Sequence, residues 1–115
     1  MCSILAPLLY AILFLLLAPP MVAQVPTYPI AFTVTGLVEG PTPGDPVFSV
    51  ALLNNGGNPI SVYANGVFSF STELPDGASY NITIAFQPDY QTCTVTNGFG
   101  KVASAPVTDP LVTCG

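Results

Sequence analysis

The sequence contains no histidine, no tryptophan and no arginine, and its single cationic side chain is Lys101. Each absence closes off a chemistry. Without histidine there is no imidazole to act as general base or metal ligand. Ser61, Ser69, Ser71 and Ser104 therefore have nothing to activate them, and none stands in a GxSxG turn. Without clustered cations nothing can displace the counterions of a phosphate backbone, so nucleic acid is not an expected partner. Charged residues of either sign make up only 6% of the 115, and the formal net charge is −5, which repels polyanions. The length suits one domain.

The six acids are Glu39, Asp45, Glu73, Asp76, Asp89 and Asp109. Nearly all fall in turn sequences, where a carboxylate finds local N–H donors. A calcium site would need Asp45, Asp76 or Asp89 to converge, and no DxDxDG spacing is present. A glycosidase-like pair needs two acids facing across a cleft, and these are dispersed along the chain. No metal, cofactor or catalytic residue is expected, and the chain reads as non-enzymatic.

Apolar residues, by contrast, make up half the chain, and much of the surplus sits at the N-terminus. Residues 4–18 are an uncharged apolar run, followed by Pro19-Pro20 and the small residue Ala23. That layout is a secretory signal peptide with cleavage between Ala23 and Gln24. The cationic n-region is missing, so either the α-amino group serves alone or the natural start lies upstream. The rival reading is an uncleaved anchor, because 4–23 reach about 20 residues, the length of a membrane span, only by including three prolines. Cys2 precedes the apolar run and so is not a lipobox cysteine. The expected organisation is a signal at 1–23, a linker at 24–31 and a β domain at 32–115.

Past Ala23 the pattern changes to alternation, the mark of half-buried strands. Phe32, Val34 and Val38 are expected on one face, with Gly36 as a bulge or close-approach site. Glu39 to Pro46 and Asn54 to Asn58 are turn sequences. Phe48, Val50 and Leu52 alternate between them. Around Asn65-Gly66, face matching favours a three-residue hairpin loop pairing Val62 with Phe68 and Ile60 with Phe70, with Gly66 at positive φ. Leu74-Pro75-Asp76-Gly77 is a turn in which Gly77 takes positive φ. Tyr80, Ile82, Ile84 and Phe86 then line one face, with Asn81 pointing outward in an N-glycosylation sequon, Asn81-Ile82-Thr83. Tyr28, Tyr63 and Tyr90 fall at strand ends or loops and are candidates for a ligand surface. About seven short strands without a helical window indicate an all-β antiparallel sandwich.

If residues 1–23 are removed, two cysteines remain, Cys93 and Cys114. An even pair in an exported chain reads as one disulfide, stapling the penultimate strand to the last. A redox-active pair would want CxxC spacing and a nearby cation, and has neither.

From Phe32 onward the ordered turn signatures are more specific than composition. Leu52 to Gly57 gives an LxNNGG-like turn, Ala64 to Phe70 an NGxFxF segment and Leu74 to Ile84 an LxDGxxYxVTV-like strand. Gln87 to Gly100 gives QPxxQxCxVxNGxG, and Val112 to Cys114 a closing VxC. Together these resemble modules repeated in bacterial cell-envelope and secreted proteins. The resemblance implies an immunoglobulin-like or prealbumin-like sandwich with its cysteines paired and a non-catalytic role. Two departures stand out: a longer, proline-rich 39–46 loop, and Pro110, which predicts a short last strand at a sheet edge. The functional expectation is an exported structural or binding module at the bacterial cell envelope, with a protein or glycan partner. The alternatives are a membrane-tethered accessory subunit, if 1–23 are retained, and a small-ligand carrier.

Overall fold

The computed structural model describes residues 25–115. The signal or anchor at 1–23, its helix and the cleavage point at Ala23–Gln24 lie outside the described residues. Among those described, no helix is long and apolar enough to cross a membrane.

The described residues form ten strands and one short 3-10 turn. The strands are β1 (Thr27–Tyr28), β2 (Ala31–Thr35), β3 (Val50–Asn54), β4 (Gly57–Val62), β5 (Gly66–Ser69), β6 (Leu74–Pro75), β7 (Ser79–Phe86), β8 (Cys93–Thr96), β9 (Phe99–Lys101) and β10 (Leu111–Cys114). Two four-stranded sheets, ordered β5-β2-β10-β8 and β4-β3-β7-β9, close on a common core, and β1 pairs separately with β6. The expected all-β sandwich is therefore present, although it is not purely antiparallel, because β10 runs parallel to β2. The count of about seven strands rises to ten through the two-residue pieces β1 and β6 and the three-residue β9, too short to show any alternation.

The core is built from alternate residues of both sheets. Phe32, Val34, Val112, Cys93 and Cys114 come from one, and Val50, Leu52, Val62, Tyr80 and Ile82 from the other. Many outward positions are polar, as in Thr33, Thr35, Ser61, Asn81 and Thr83, although Val67 and Phe99 also face outward, so period-two patterning marks most of the buried face.

Several expectations require correction. The Val62–Phe68 hairpin does not form. β4 pairs with β3, whereas β5 crosses to the other sheet and pairs with β2, bringing Phe68 opposite Phe32. The two-residue hairpin lies instead at Asn55-Gly56, where both residues have positive φ (54° and 75°) and Asn54 faces Gly57. Gly66 does adopt a positive φ, of 136°, but as the first residue of β5, opposite Val34, and not in a hairpin loop.

Val38 is 53% exposed and Leu37 takes its place in the core, because Gly36 at φ 75° reverses the alternation. Gly36 is also a close approach, since a Cβ there would lie 2.3 Å from the Cys114 carbonyl oxygen. Phe86 leaves the inner face: the register of β3 and β7 slips between Ala51 and Leu52, so that Phe86 stands opposite outward-facing Ala51 and is 74% exposed. The short last strand β10 is central, not an edge. Pro110 permits this because it lies just outside the ladder and uses only its carbonyl, which accepts from Thr33 N–H at 3.0 Å. Strand pairing also begins inside the expected linker, at Thr27, and Ile30 is fully buried.

Cys93 and Cys114 form a disulfide and face each other directly across the β8–β10 ladder. β9 comes between these two strands in the chain but belongs to the opposite sheet, so the bridge ties neighbours in space rather than the last two strands in sequence. A buried disulfide of this kind is the mark of an oxidising, extracytoplasmic environment.

Candidate functional site

The strand directions collect three connections at one end of the sandwich: 36–49 after β2, 63–65 after β4, and 87–92 after β7. Three amide side chains fix this end, each gripping main chain with donor and acceptor together. Asn65 Oδ1 accepts from Leu37 N–H and Asn65 Nδ2 donates to the Leu37 carbonyl, both at 2.8 Å. Gln91 Oε1 accepts from Val38 N–H at 2.8 Å, and its Nε2 donates to the Gly36 carbonyl at 2.7 Å. Gln87 holds both main-chain groups of Cys93 at 2.6 and 2.9 Å. Residues 36–38 have no ladder partner of their own, so these side chains satisfy main chain that would otherwise depend on water.

The anchored loop walls a cleft of about 190 Å³ lined by Glu39, Asp45, Phe48 and Tyr63 among others. Asp45 is the N-cap of the 3-10 turn Pro46–Phe48, and its Oδ1 accepts from Val47 N–H at 3.1 Å. That turn delivers the Phe48 ring into the cleft wall. Gly40 makes room for it, because a Cβ there would sit 2.4 Å from Phe48 Cδ2. Glu39 Oε1 accepts from Asn65 N–H at 3.1 Å, so both carboxylates are oriented by backbone donors. Tyr90, 79% exposed, extends the aromatic surface, its ring centroid 6.2 Å from that of Phe48.

Of the three candidate tyrosines, Tyr63 lines the cleft and Tyr90 stands beside Phe48 at the same end. Tyr28 is at the far end, opposite Leu74 and packed on the core. The acids divide likewise. Glu39, Asp45 and Asp89 are at the cleft end, with Asp89 N–H bonding the Val47 carbonyl at 3.1 Å. Asp76 lies at the opposite end, where its Oδ1 accepts from Ser104 N–H at 2.7 Å. Asp45, Asp76 and Asp89 therefore do not converge on a cation. No cluster of three or more metal-ligating side chains occurs among the described residues.

Glu39 and Asp45, taken as dispersed in the sequence, do share a cleft. Glu39 is exposed and the cleft is open to solvent. Lys101 lines a smaller cleft of about 130 Å³ at the opposite end, with Asp109. Gly77 takes φ 81° in the turn closed by Ala78 N–H on the Pro75 carbonyl. Asn81 is exposed on the outer face of β7, opposite Phe99.

Sequence reasoning missed Phe48 as a site residue because it followed the strand alternation of Val50 and Leu52. It also missed the three amides, since a Gln or Asn in a turn gives no sign of which distant main chain it will reach. No family model, no curated protein and no solved structure matches the chain.

Proposed function

We propose that this protein is an exported, non-catalytic β-sandwich module with a binding role at the bacterial cell envelope, and that the cleft end carries the binding. The observation behind this reading is that Phe48 and Tyr63 line one open cleft, with Tyr90 against Phe48, on loops clamped by Asn65, Gln87 and Gln91. Exposed aromatic surface on preorganised backbone loses little entropy on binding. The disulfide supports export, as does the apolar segment 4–18, and the resemblance of the turn signatures to those of envelope modules is the ground for proposing the compartment. Within the sandwich class, the prealbumin-like alternative fits better. The immunoglobulin order puts its first two strands in one sheet, whereas β2 and β3 lie in opposite sheets.

Two measurements test the reading. The intact mass of the protein from its own host should correspond to loss of residues 1–23 and of two hydrogens at the cysteines; a full-length species in the membrane fraction would make it a tethered subunit instead. The oxidised protein should be retained on envelope fractions of that host, and Tyr63→Ser/Tyr90→Ser should lose most of that retention. Both tyrosines are exposed, so the fold should survive. Equal retention of the variant would remove the cleft end from the reading.

A further inference from the structure

We infer that the cleft at Glu39, Asp45, Phe48 and Tyr63 is a receptor for a single cationic group, a lysine or arginine side chain presented by a partner protein. This rests on the binding role proposed for the cleft end and specifies its ligand.

Size comes first. At about 190 Å³ the cleft is smaller than the roughly 300–1,000 Å³ of sites that enclose a whole small molecule, and it matches one side-chain head group. Aromatic faces carry the negative part of the ring quadrupole and attract cations laid over them. Phe48 and Tyr63 both line the cleft, with Tyr90 beside Phe48.

Charge is the second argument. Glu39 and Asp45 stand in the lining and Asp89 is nearby, whereas the protein's only cationic side chain, Lys101, is at the opposite end of the sandwich. Among the described residues no cationic side chain stands at this end to neutralise the acids, so a cationic ligand meets a complementary field. Geometry is the third. One oxygen of each cleft carboxylate is fixed by a backbone N–H, of Asn65 for Glu39 and of Val47 for Asp45. The other oxygen of each has no hydrogen-bond partner among the described residues and is left for the incoming group. One oxygen of each carboxylate is thus held in place before any ligand arrives, and a guanidinium or an ammonium is the kind of group that carboxylates and aromatic rings both attract.

The test is an NMR titration of the oxidised protein with N-acetyl-lysine methylamide and N-acetyl-arginine methylamide. N-acetyl-norleucine methylamide serves as the uncharged counterpart and methyl glucoside as a neutral sugar. Both cationic probes should shift the amide resonances of residues 39–48 and 63–64, and the response should weaken several-fold on raising salt from about 0.05 to 0.5 M. Glu39→Gln/Asp45→Asn keeps both backbone hydrogen bonds and the cap, and should weaken binding about tenfold. Unchanged resonances of Val50 and Leu52 would show that this variant is folded. Equal shifts by norleucine or glucoside, shifts confined to residues 101–109, or no shifts at all would overturn the inference. Loss of envelope retention in Tyr63→Ser/Tyr90→Ser without any lysine response would leave the binding role standing and remove only its cationic ligand. A salt-dependent lysine response with unaltered envelope retention would do the reverse.

Discussion

Asn65 completes the main chain of Leu37, its amide oxygen taking the Leu37 N–H and its amide nitrogen giving to the Leu37 carbonyl, each at 2.8 Å. The side chain thereby stands in for a strand neighbour. It joins the loop that follows β2 to the crossover between β4 and β5, 28 residues away in sequence. Leu37 can then enter the core at 4% exposure although no ladder supports it.

Asn65→Ala should therefore cost about 1–3 kcal/mol, because it strands a donor and an acceptor at a part-buried position instead of exposing them to water. Urea unfolding of the two proteins measures the loss. Hydrogen exchange adds a local readout: the Leu37 amide should lose protection by a larger factor than the Leu52 amide. Equal change at both would mean that the clamp contributes only to global stability.

Gly36 and Gly56 separate two roles of glycine that look alike in the sequence. Both have φ 75°, so alanine at either carries the left-handed penalty of about 1 kcal/mol or somewhat more. At Gly56 a Cβ meets nothing within 4 Å, whereas at Gly36 it would lie 2.3 Å from the Cys114 carbonyl oxygen, which is main chain and cannot swing aside. Gly56→Ala should cost about 1–2 kcal/mol, and Gly36→Ala at least about 3 kcal/mol or leave the protein unfolded. Parallel thermal melts decide it, and similar values for the two would show that the β2–β10 end can spread.

The contrast between Asn55-Gly56 and Asn65-Gly66 shows where sequence patterning stops being informative. Alternation placed Phe32, Val34, Leu52, Ile82 and Val112 on buried faces correctly, because a strand's inward set depends only on parity. The destination of the next strand is another matter. Both Asn-Gly pairs have the same local propensity, yet one makes a two-residue hairpin and the other a change of sheet. Matching Val62 to Phe68 was a sound criterion that failed because β2 offered Phe68 a partner 36 residues away, Phe32. The cleft was half legible for the same reason. Strand ends mark Tyr63 and Tyr90, but the placing of one in the cleft and the other against Phe48 depends on topology and on a proline-initiated 3-10 turn that alternation does not reveal.

The disulfide should account for about 3 kcal/mol, the entropy of closing a loop with sequence separation 21 in the unfolded chain. Cys93→Ala/Cys114→Ala also removes two buried sulfurs, so the cleaner comparison is the native protein with and without reductant in a denaturant titration. The midpoint should fall on reduction. Because total stability for a domain of this size is about 5–15 kcal/mol, reduction should bring unfolding into the range of mild denaturant. An unchanged midpoint would mean that the β8–β10 ladder is already closed by its hydrogen bonds and by Val112.

The change of sheet at Gly66 makes a prediction about energetic coupling. Phe32 is fully buried, and its ring centroid lies 6.0 Å from Phe68 and 5.3 Å from Phe70. Those neighbours exist only because β5 pairs with β2; in a β4–β5 hairpin Phe68 would instead oppose Val62. A double-mutant cycle on Phe32→Leu and Phe68→Leu should give a coupling of about 0.5–1.5 kcal/mol, the range for tilted aromatic pairs. Phe32→Leu alone should cost about 1–3 kcal/mol as a loss of buried volume, and Phe68→Leu less, since Phe68 is only half buried. Additivity within about 0.3–0.5 kcal/mol would mean that the rings do not support each other. The crossover would then have to be held by the Asn65 clamp and the β2–β5 hydrogen bonds alone.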